Sequence, residues 1–278
     1  MDPKKKPEDD IESVDSNSDG ESETSASSEE EEMDPHVNTV ADVVTHIKVP
    51  FSCTVVSKRN SGKSFLVRDI VYELSKQGRI NQVIVMSNTS GQSLNADYDY
   101  MPPAMLMMYK EATILKIMEM QQKQIKAGKI REILLVLDDV VGSDTSNSAE
   151  GSRLIRSIFA NSRHYHISII LLSQIATRLL QPAIRENSDV IFFSRLNRKS
   201  LETMAEAVCN IDKKAFVAIS EKNNKNYSFI FYNNQTQSNN PEDFLFIVKA
   251  KERKFTLGGA GAKDVPGAKK TPSKKDSM

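Results

Sequence analysis

Five apolar runs of strand length recur along the first two thirds of the chain: PFSCTVVS (50–57), QVIVMSN (82–88), EILLVLDD (132–139), HISIILLSQ (166–174) and DVIFFSR (189–195). Their hydrophobicity is continuous rather than alternating, so both faces of each strand must be covered, as in a parallel sheet sandwiched between helices. The intervening segments carry helical patterns over about 62–77, 104–127, 149–162 and 198–209. This alternation predicts a doubly wound α/β domain whose ligand sits at the carboxyl ends of the strands. Two later runs, NYSFIFYN (226–233) and DFLFIVKA (243–250), alternate more and are joined by a polar turn, which predicts an antiparallel hairpin at the sheet edge.

The termini read differently. Residues 1–36 form an acidic, serine-rich head with almost no apolar content, and 256–278 form a Gly- and Lys-rich basic tail; neither buries enough surface to offset its ordering entropy, and both are expected to be disordered. One domain remains, over 37–255. The formal net charge of +0 conceals a segregation, because a head of about −11 offsets a basic body and tail. A basic body suits a polyanionic partner. Cys53 and Cys209 lie far apart with no metal-ligand spacing, as expected of reduced packing residues in an intracellular protein. No run is long and apolar enough to span a bilayer, so no membrane partner is expected.

The chemistry concentrates where the first strand gives way to helix. There the loop Ser57, Lys58, Arg59, Asn60, Ser61, Gly62, Lys63, Ser64 fits G-x-x-x-x-G-K-[ST] except that Ser57 replaces the first glycine. In that pattern backbone N–H groups and the helix N-terminus surround phosphate oxygens, the lysine reaches the β and γ phosphates, and the hydroxyl ligates Mg²⁺. The expected cofactors are therefore ATP and Mg²⁺. About seventy-five residues on, an aliphatic strand ends in Asp138 and Asp139. Asp138 is the expected second Mg²⁺ residue beside Ser64, and Asp139 the group that polarises the attacking water.

The fourth run ends in Ser173 and Gln174, and an uncharged side chain there can bond the γ-phosphate or the lytic water. Before it stands Arg163, a candidate for reaching a neighbouring subunit's γ-phosphate, with Arg153, Arg156, Arg178 and Arg185 competing for that role. His164 and His166 read as a turn and strand start, not as metal ligands. The Met-rich stretch from Met101 to Met120 reads as adaptable packing, with a subunit interface as the alternative.

Taken together, S-x-x-x-x-G-K-S, L-L-V-L-D-D and S-R-x-x-x-I-S-I-I-L-L-S-Q resemble the FtsK–HerA superfamily of DNA-pumping ATPases, most closely the compact genome-packaging ATPases of large eukaryotic DNA viruses and virophages. The resemblance covers about residues 50–210, and the block Asn161–Gln174 discriminates, since the other motifs are common to P-loop NTPases. It implies an additional-strand, RecA-like P-loop fold and a homo-oligomeric ring, hexamer or pentamer, threading double-stranded DNA into a capsid through contacts to phosphates. It also implies capsid or portal-vertex partners and a place in the infected cell or the virion. On this resemblance Lys63, Ser64, Asp138, Asp139 and Gln174 serve their own site and Arg163 the next. Arg195, Arg198, Lys199, Lys213, Lys214, Lys222 and Lys225 are candidate DNA contacts. A nucleotide-gated scaffold with negligible turnover and a P-loop small-molecule kinase are the alternatives.

Overall fold

The computed structural model describes residues 37–88, 96–140, 149–174, 182–207, 212–223 and 227–258. Its described strands form one sheet: β1 (Val37–Thr39), β2 (Ser52–Ser57), β3 (Gln82–Ser87), β4 (Leu106–Met108), β5 (Ile133–Asp138), β6 (Ile167–Ser173), β7 (Val190–Ser194), β8 (Ser228–Asn233) and β9 (Leu245–Lys249). The spatial order is β1-β9-β8-β7-β2-β6-β5-β3-β4. From β7 to β4 every pairing is parallel, while β8 runs antiparallel to both β7 and β9. The expected hairpin is thus β8–β9, and the three-residue β1 adds to it in parallel.

Side-chain alternation assigns each strand to two cores, which explains the unbroken apolar runs. Cys53, Val55, Val83, Val85, Leu134, Val136, Ile170 and Leu172 pack under α1 (Val40–Val44) and α2 (Lys63–Lys76). Val56, Ile84, Met86, Leu135, Leu137, Ile169 and Leu171 face the other way, against α3 (Glu111–Lys126) and α4 (Ala149–Asn161). α6 (Arg198–Ala207) and α7 (Lys213–Lys222) also cover this second face, through Leu201, Met204, Phe216 and Val217; α5 (Pro182–Arg185), a single turn, adds Ile184.

One predicted helix is corrected. The segment expected to be helical over 104–127 opens instead with a 3₁₀ turn, Pro103–Met105, and the strand β4, paired in parallel with β3. Helix begins only at Glu111. Pro102 and Pro103 fix this start, since the residue before a proline is pushed out of the helical region. The Met cluster accordingly divides: Met101 is buried, while Met108 and Met120 are exposed. β1, α1, β4, α5 and α7 are additions to the sequence reading. For α1 a signal was present, because Thr39 and Asp42 form a reciprocal capping box. The packed path continues past β9 at least to Leu257, which is buried and donates its N–H to the Tyr100 carbonyl. Cys53 is buried and free; Cys209, Arg178 and Lys225 lie outside the described residues, as do 1–36 and 259–278.

Candidate nucleotide site at the carboxyl edge

Because β2 to β7 are mutually parallel, their carboxyl ends share one edge, and each of β2, β3, β5, β6 and β7 ends there in a serine or aspartate: Ser57, Ser87, Asp138, Ser173 and Ser194. β2 occupies the centre, and β6 is inserted between it and β5. Insertion of that strand brings the lysine-bearing loop, the acids and Gln174 to adjoining positions along one rim. This is the additional-strand arrangement expected from the sequence.

The loop is held by its own side chains. Ser57 is fully buried and its hydroxyl meets that of Ser61, which donates in turn to the Lys58 carbonyl. The departure from glycine at position 57 is therefore absorbed as a brace inside the loop. Asn60 and Gly62 take left-handed backbone, with φ of 56° and 90°, a conformation Asn tolerates and Gly adopts freely. Gly62 has a second reason to lack a side chain, since a Cβ there would stand 2.3 Å from the Tyr227 ring. Lys63 opens α2 and its ammonium curls back to the Ser57 and Lys58 carbonyls, at 3.2 and 3.1 Å. Burial pushes its pKa down, partly offset by Asp138, Asp139 and Asp97.

Asp138 closes β5. Burial raises its pKa, while a hydrogen bond from Tyr98 and the charge of Lys63 lower it. Lys63 and Asp138 thus lie within reach of each other's charge. Asp139 takes left-handed backbone (φ 50°), donates its N–H to the Leu172 carbonyl of β6 at 3.3 Å, and accepts from the Gln174 amide at 3.3 Å. The structure therefore brings together Ser57 to Ser64, Asp138, Asp139 and Gln174. It places Arg163 elsewhere. That residue lies in the 3₁₀ turn Ser162–Tyr165 at the amino end of β6, paired with Asp189 at 2.7 Å and half exposed.

Two residues at the site were missed. Tyr98 is fully buried and donates to Asp138 Oδ2 at 2.9 Å; Asp97 adds a third carboxylate to the field around Lys63. Asp97 lies on helix and Tyr98 in the turn that follows it, and a lone Tyr or Asp there has no periodicity or spacing to mark it.

The donor set fits Mg²⁺. Among the described residues no cluster of three or more His, Cys, Asp or Glu is arranged to cage a metal. Ser64, at the start of α2, and Asp138 offer instead the sparse oxygen donors that suit an ion keeping most of its waters. With Tyr98 on Oδ2, Asp138 retains Oδ1 for a cation. Among the candidate DNA contacts, Lys213 pairs with Glu206 and Arg198 with Glu202, whereas Arg195 is exposed at the carboxyl end of β7. No described helix is long and apolar enough to cross a membrane.

Comparison with known proteins agrees with this geometry. No protein-family model matches the sequence. The chain is 27% identical over 231 residues to an uncharacterized protein of Acanthamoeba polyphaga mimivirus, covering 77% of this chain and 78% of that one. It is also 27% identical over 217 residues to an uncharacterized protein of Frog virus 3, covering 75% and 64% respectively. Among solved structures it is similar to the genome packaging NTPase B204 from Sulfolobus turreted icosahedral virus 2 in complex with sulfate, with a TM-score of 0.53, 16% identity, and 75% and 100% of the two chains covered. The same protein in complex with AMP gives a TM-score of 0.52. The chain is thus related in sequence to proteins of large DNA viruses and has the P-loop fold of viral genome-packaging NTPases, as its resemblance to the FtsK–HerA superfamily implied.

Proposed function

We propose that this protein hydrolyses ATP to drive double-stranded DNA into a viral capsid, working as a homo-oligomeric ring. The observation that carries the reading is the meeting of the Lys63 loop with Asp138, Asp139 and Gln174 across the inserted strand β6. A scaffold that only binds nucleotide has no need of a second acid held against an amide.

The parts divide the work. Loop N–H groups from Lys58 to Ser64 and the start of α2 hold the phosphates, and Lys63 exchanges its two loop carbonyls for β- and γ-oxygens. Ser64 and Asp138 would hold Mg²⁺, which would supply positive charge to offset that of the phosphates. Asp139 orients the attacking water and takes up its proton, while Gln174, bonded to Asp139, senses whether a γ-phosphate is present. Arg163 faces away from its own site and is the arginine we assign to a neighbouring subunit, a role in which it must leave Asp189 for phosphate. Arg195 and the basic tail serve as phosphate grips for DNA, independent of sequence.

The test is ATP hydrolysis by the full chain with and without long double-stranded DNA. We expect DNA to stimulate turnover and Lys63→Ala to abolish it. Turnover indifferent to DNA overturns the translocase reading. Asp139→Asn separates motor from scaffold, since a motor keeps ATP affinity but loses turnover, whereas a scaffold loses nothing measurable.

A further inference from the structure

We propose that Tyr227, backed by Phe65, is the platform on which the nucleotide's base stacks, giving this site a preference for purines over pyrimidines. The proposal rests on the reading of residues 57–64 as a triphosphate cradle and extends it to the other end of the ligand.

The direction follows from sheet order. β6 and β5, which bring Gln174, Asp138 and Asp139 to the rim, lie on one side of the central strand β2, and β7 and β8 lie on the other. With the reacting γ-phosphate drawn toward the acids, the nucleoside end of the ligand leaves toward β7 and β8. Tyr227 stands there. It immediately precedes β8, and because β8 runs antiparallel to β7, its start lies at the carboxyl edge; Ser194, the last residue of β7, donates its hydroxyl to the Ser228 carbonyl.

The ring is placed against the cradle itself. A Cβ at Gly62 would lie 2.3 Å from Tyr227 Cδ1 and 3.0 Å from Cε1, so the aromatic ring rests on the loop glycine. Phe65, the residue after Ser64, meets it with ring centroids 4.8 Å apart and planes tilted by 32°. Tyr227 is nonetheless 51% exposed. Its backbone is left-handed (φ 58°), a conformation rare for a bulky residue, and its carbonyl is fixed by the Ala250 N–H at 3.3 Å. An aromatic face held beside a phosphate loop, half open to solvent, suits a flat heterocycle. Stacking reads the area of a π-face and not its hydrogen-bonding edge, so the larger purine rings gain most and adenine and guanine are poorly told apart.

The experiment measures affinity of the full chain for the Mg²⁺ complexes of ATP, GTP, CTP, UTP and inorganic tripolyphosphate, with Tyr227 unchanged, Tyr227→Phe and Tyr227→Leu. We expect ATP and GTP to bind alike and more tightly than CTP and UTP. Tyr227→Phe should keep this pattern; Tyr227→Leu should lose about tenfold or more for the purine nucleotides and nothing for tripolyphosphate. Equal weakening of tripolyphosphate overturns the proposal, because the ring would then only shape the loop, and so does unchanged ATP affinity in Tyr227→Leu. As a check needing no substitution, the fluorescence of 2-aminopurine riboside triphosphate should be quenched on binding; a bound but unquenched base overturns the stack. Failure of the unchanged protein to bind either ATP or tripolyphosphate is a distinct outcome that removes the cradle as well.

Discussion

The two ends of the parallel strands carry polar clusters of opposite character. At the amino edge Asp189 is almost fully buried and amply partnered: it accepts from the Ser52 N–H at 2.7 Å, from the Ser52 hydroxyl at 3.0 Å and from Arg163 at 2.7 Å. Nearby, Ser168 accepts the Phe51 N–H. At the carboxyl edge the same kinds of group are left short of compensation. Burial pushes the Lys63 pKa down and the Asp138 pKa up, so each is held at a cost to its charged form. Within one subunit, a polar cluster whose charges are settled is structural, Arg163 leaving it only for a neighbouring subunit's phosphate; one that needs a further partner to settle its charges is built for a ligand.

The largest test of that contrast exchanges stability for turnover. Asp138→Asn should reduce ATP hydrolysis by at least about a hundredfold, the scale on which one preorganised electrostatic group contributes. Yet thermal unfolding of the ligand-free protein should occur no lower than before, since a buried charge has been removed and Tyr98 can still donate to the amide oxygen. A large drop in melting temperature would mean the carboxylate is a structural element like Asp189.

At the other edge the expectation reverses. Asp189→Ala strands the buried Ser52 N–H and deprives Arg163 of its acid, and should cost about 3 kcal/mol in denaturant unfolding. The ATP affinity of the folded fraction, measured on the isolated subunit, should not change. If affinity falls with stability, the two edges are not separable.

A third polar cluster tests the rule away from both edges. Arg253 bonds Asp69 and Glu73 at 2.6 Å each and lies over the Tyr72 ring, tying the chain after β9 to α2. Burial raises the Asp69 pKa, and the Lys251 N–H and Arg253 only partly counter it. Arg253→Ala leaves both acids buried without their cation and should cost about 2–3 kcal/mol at neutral pH, less than for a fully buried pair because Arg253 keeps some solvent contact. The sign of the pH dependence is fixed: a carboxyl whose folded pKa lies above its unfolded value contributes most below the unfolded pKa, near 4, and loses that contribution as pH rises through the folded value. Without Arg253 the folded pKa rises further. The stability gap between the two proteins should therefore be small at acid pH and open as pH rises; a constant gap would argue against buried charge as its cause.

These clusters also show what a sequence discloses. The five central strands were legible because both faces are covered, and the loop and the acids because their chemistry demands a fixed order along the chain. β4 was hidden, since LMM within a Met-rich stretch carries no period that separates strand from helix, and only Pro102 and Pro103 mark the break. α7 was passed over because KKAFVAISEK buries just Phe216, Val217 and Ser220. Tyr98 and Asp189 belong to the same class of omission: each acts through partners distant in sequence, 40 residues for Tyr98–Asp138 and 137 for Ser52–Asp189. Pairings of that kind are fixed by topology, which no local pattern encodes.

Tyr98 gives the smallest and most discriminating test, since it sits where the two kinds of cluster meet. Its body is core, set at a tilt against Tyr100, which in turn lies against Phe255, while its hydroxyl serves the carboxyl edge. Burial, then the adjoining Asp138, push its phenol well above its usual pKa, so at neutral pH it only donates. Tyr98→Phe keeps the packing and deletes that one donor, which freezes Asp138 Oδ2 and leaves Oδ1 to face a cation. The change should leave thermal stability within about 1 kcal/mol and nucleotide affinity measured without Mg²⁺ unaltered. The Mg²⁺ concentration giving half-maximal ATP binding should rise by roughly three- to tenfold, the low end of what losing the hydrogen-bond partner of a metal-binding carboxylate produces. A purely structural tyrosine predicts another pattern, a lower melting temperature with no change in Mg²⁺ dependence, and that result would move Tyr98 from the site into the core.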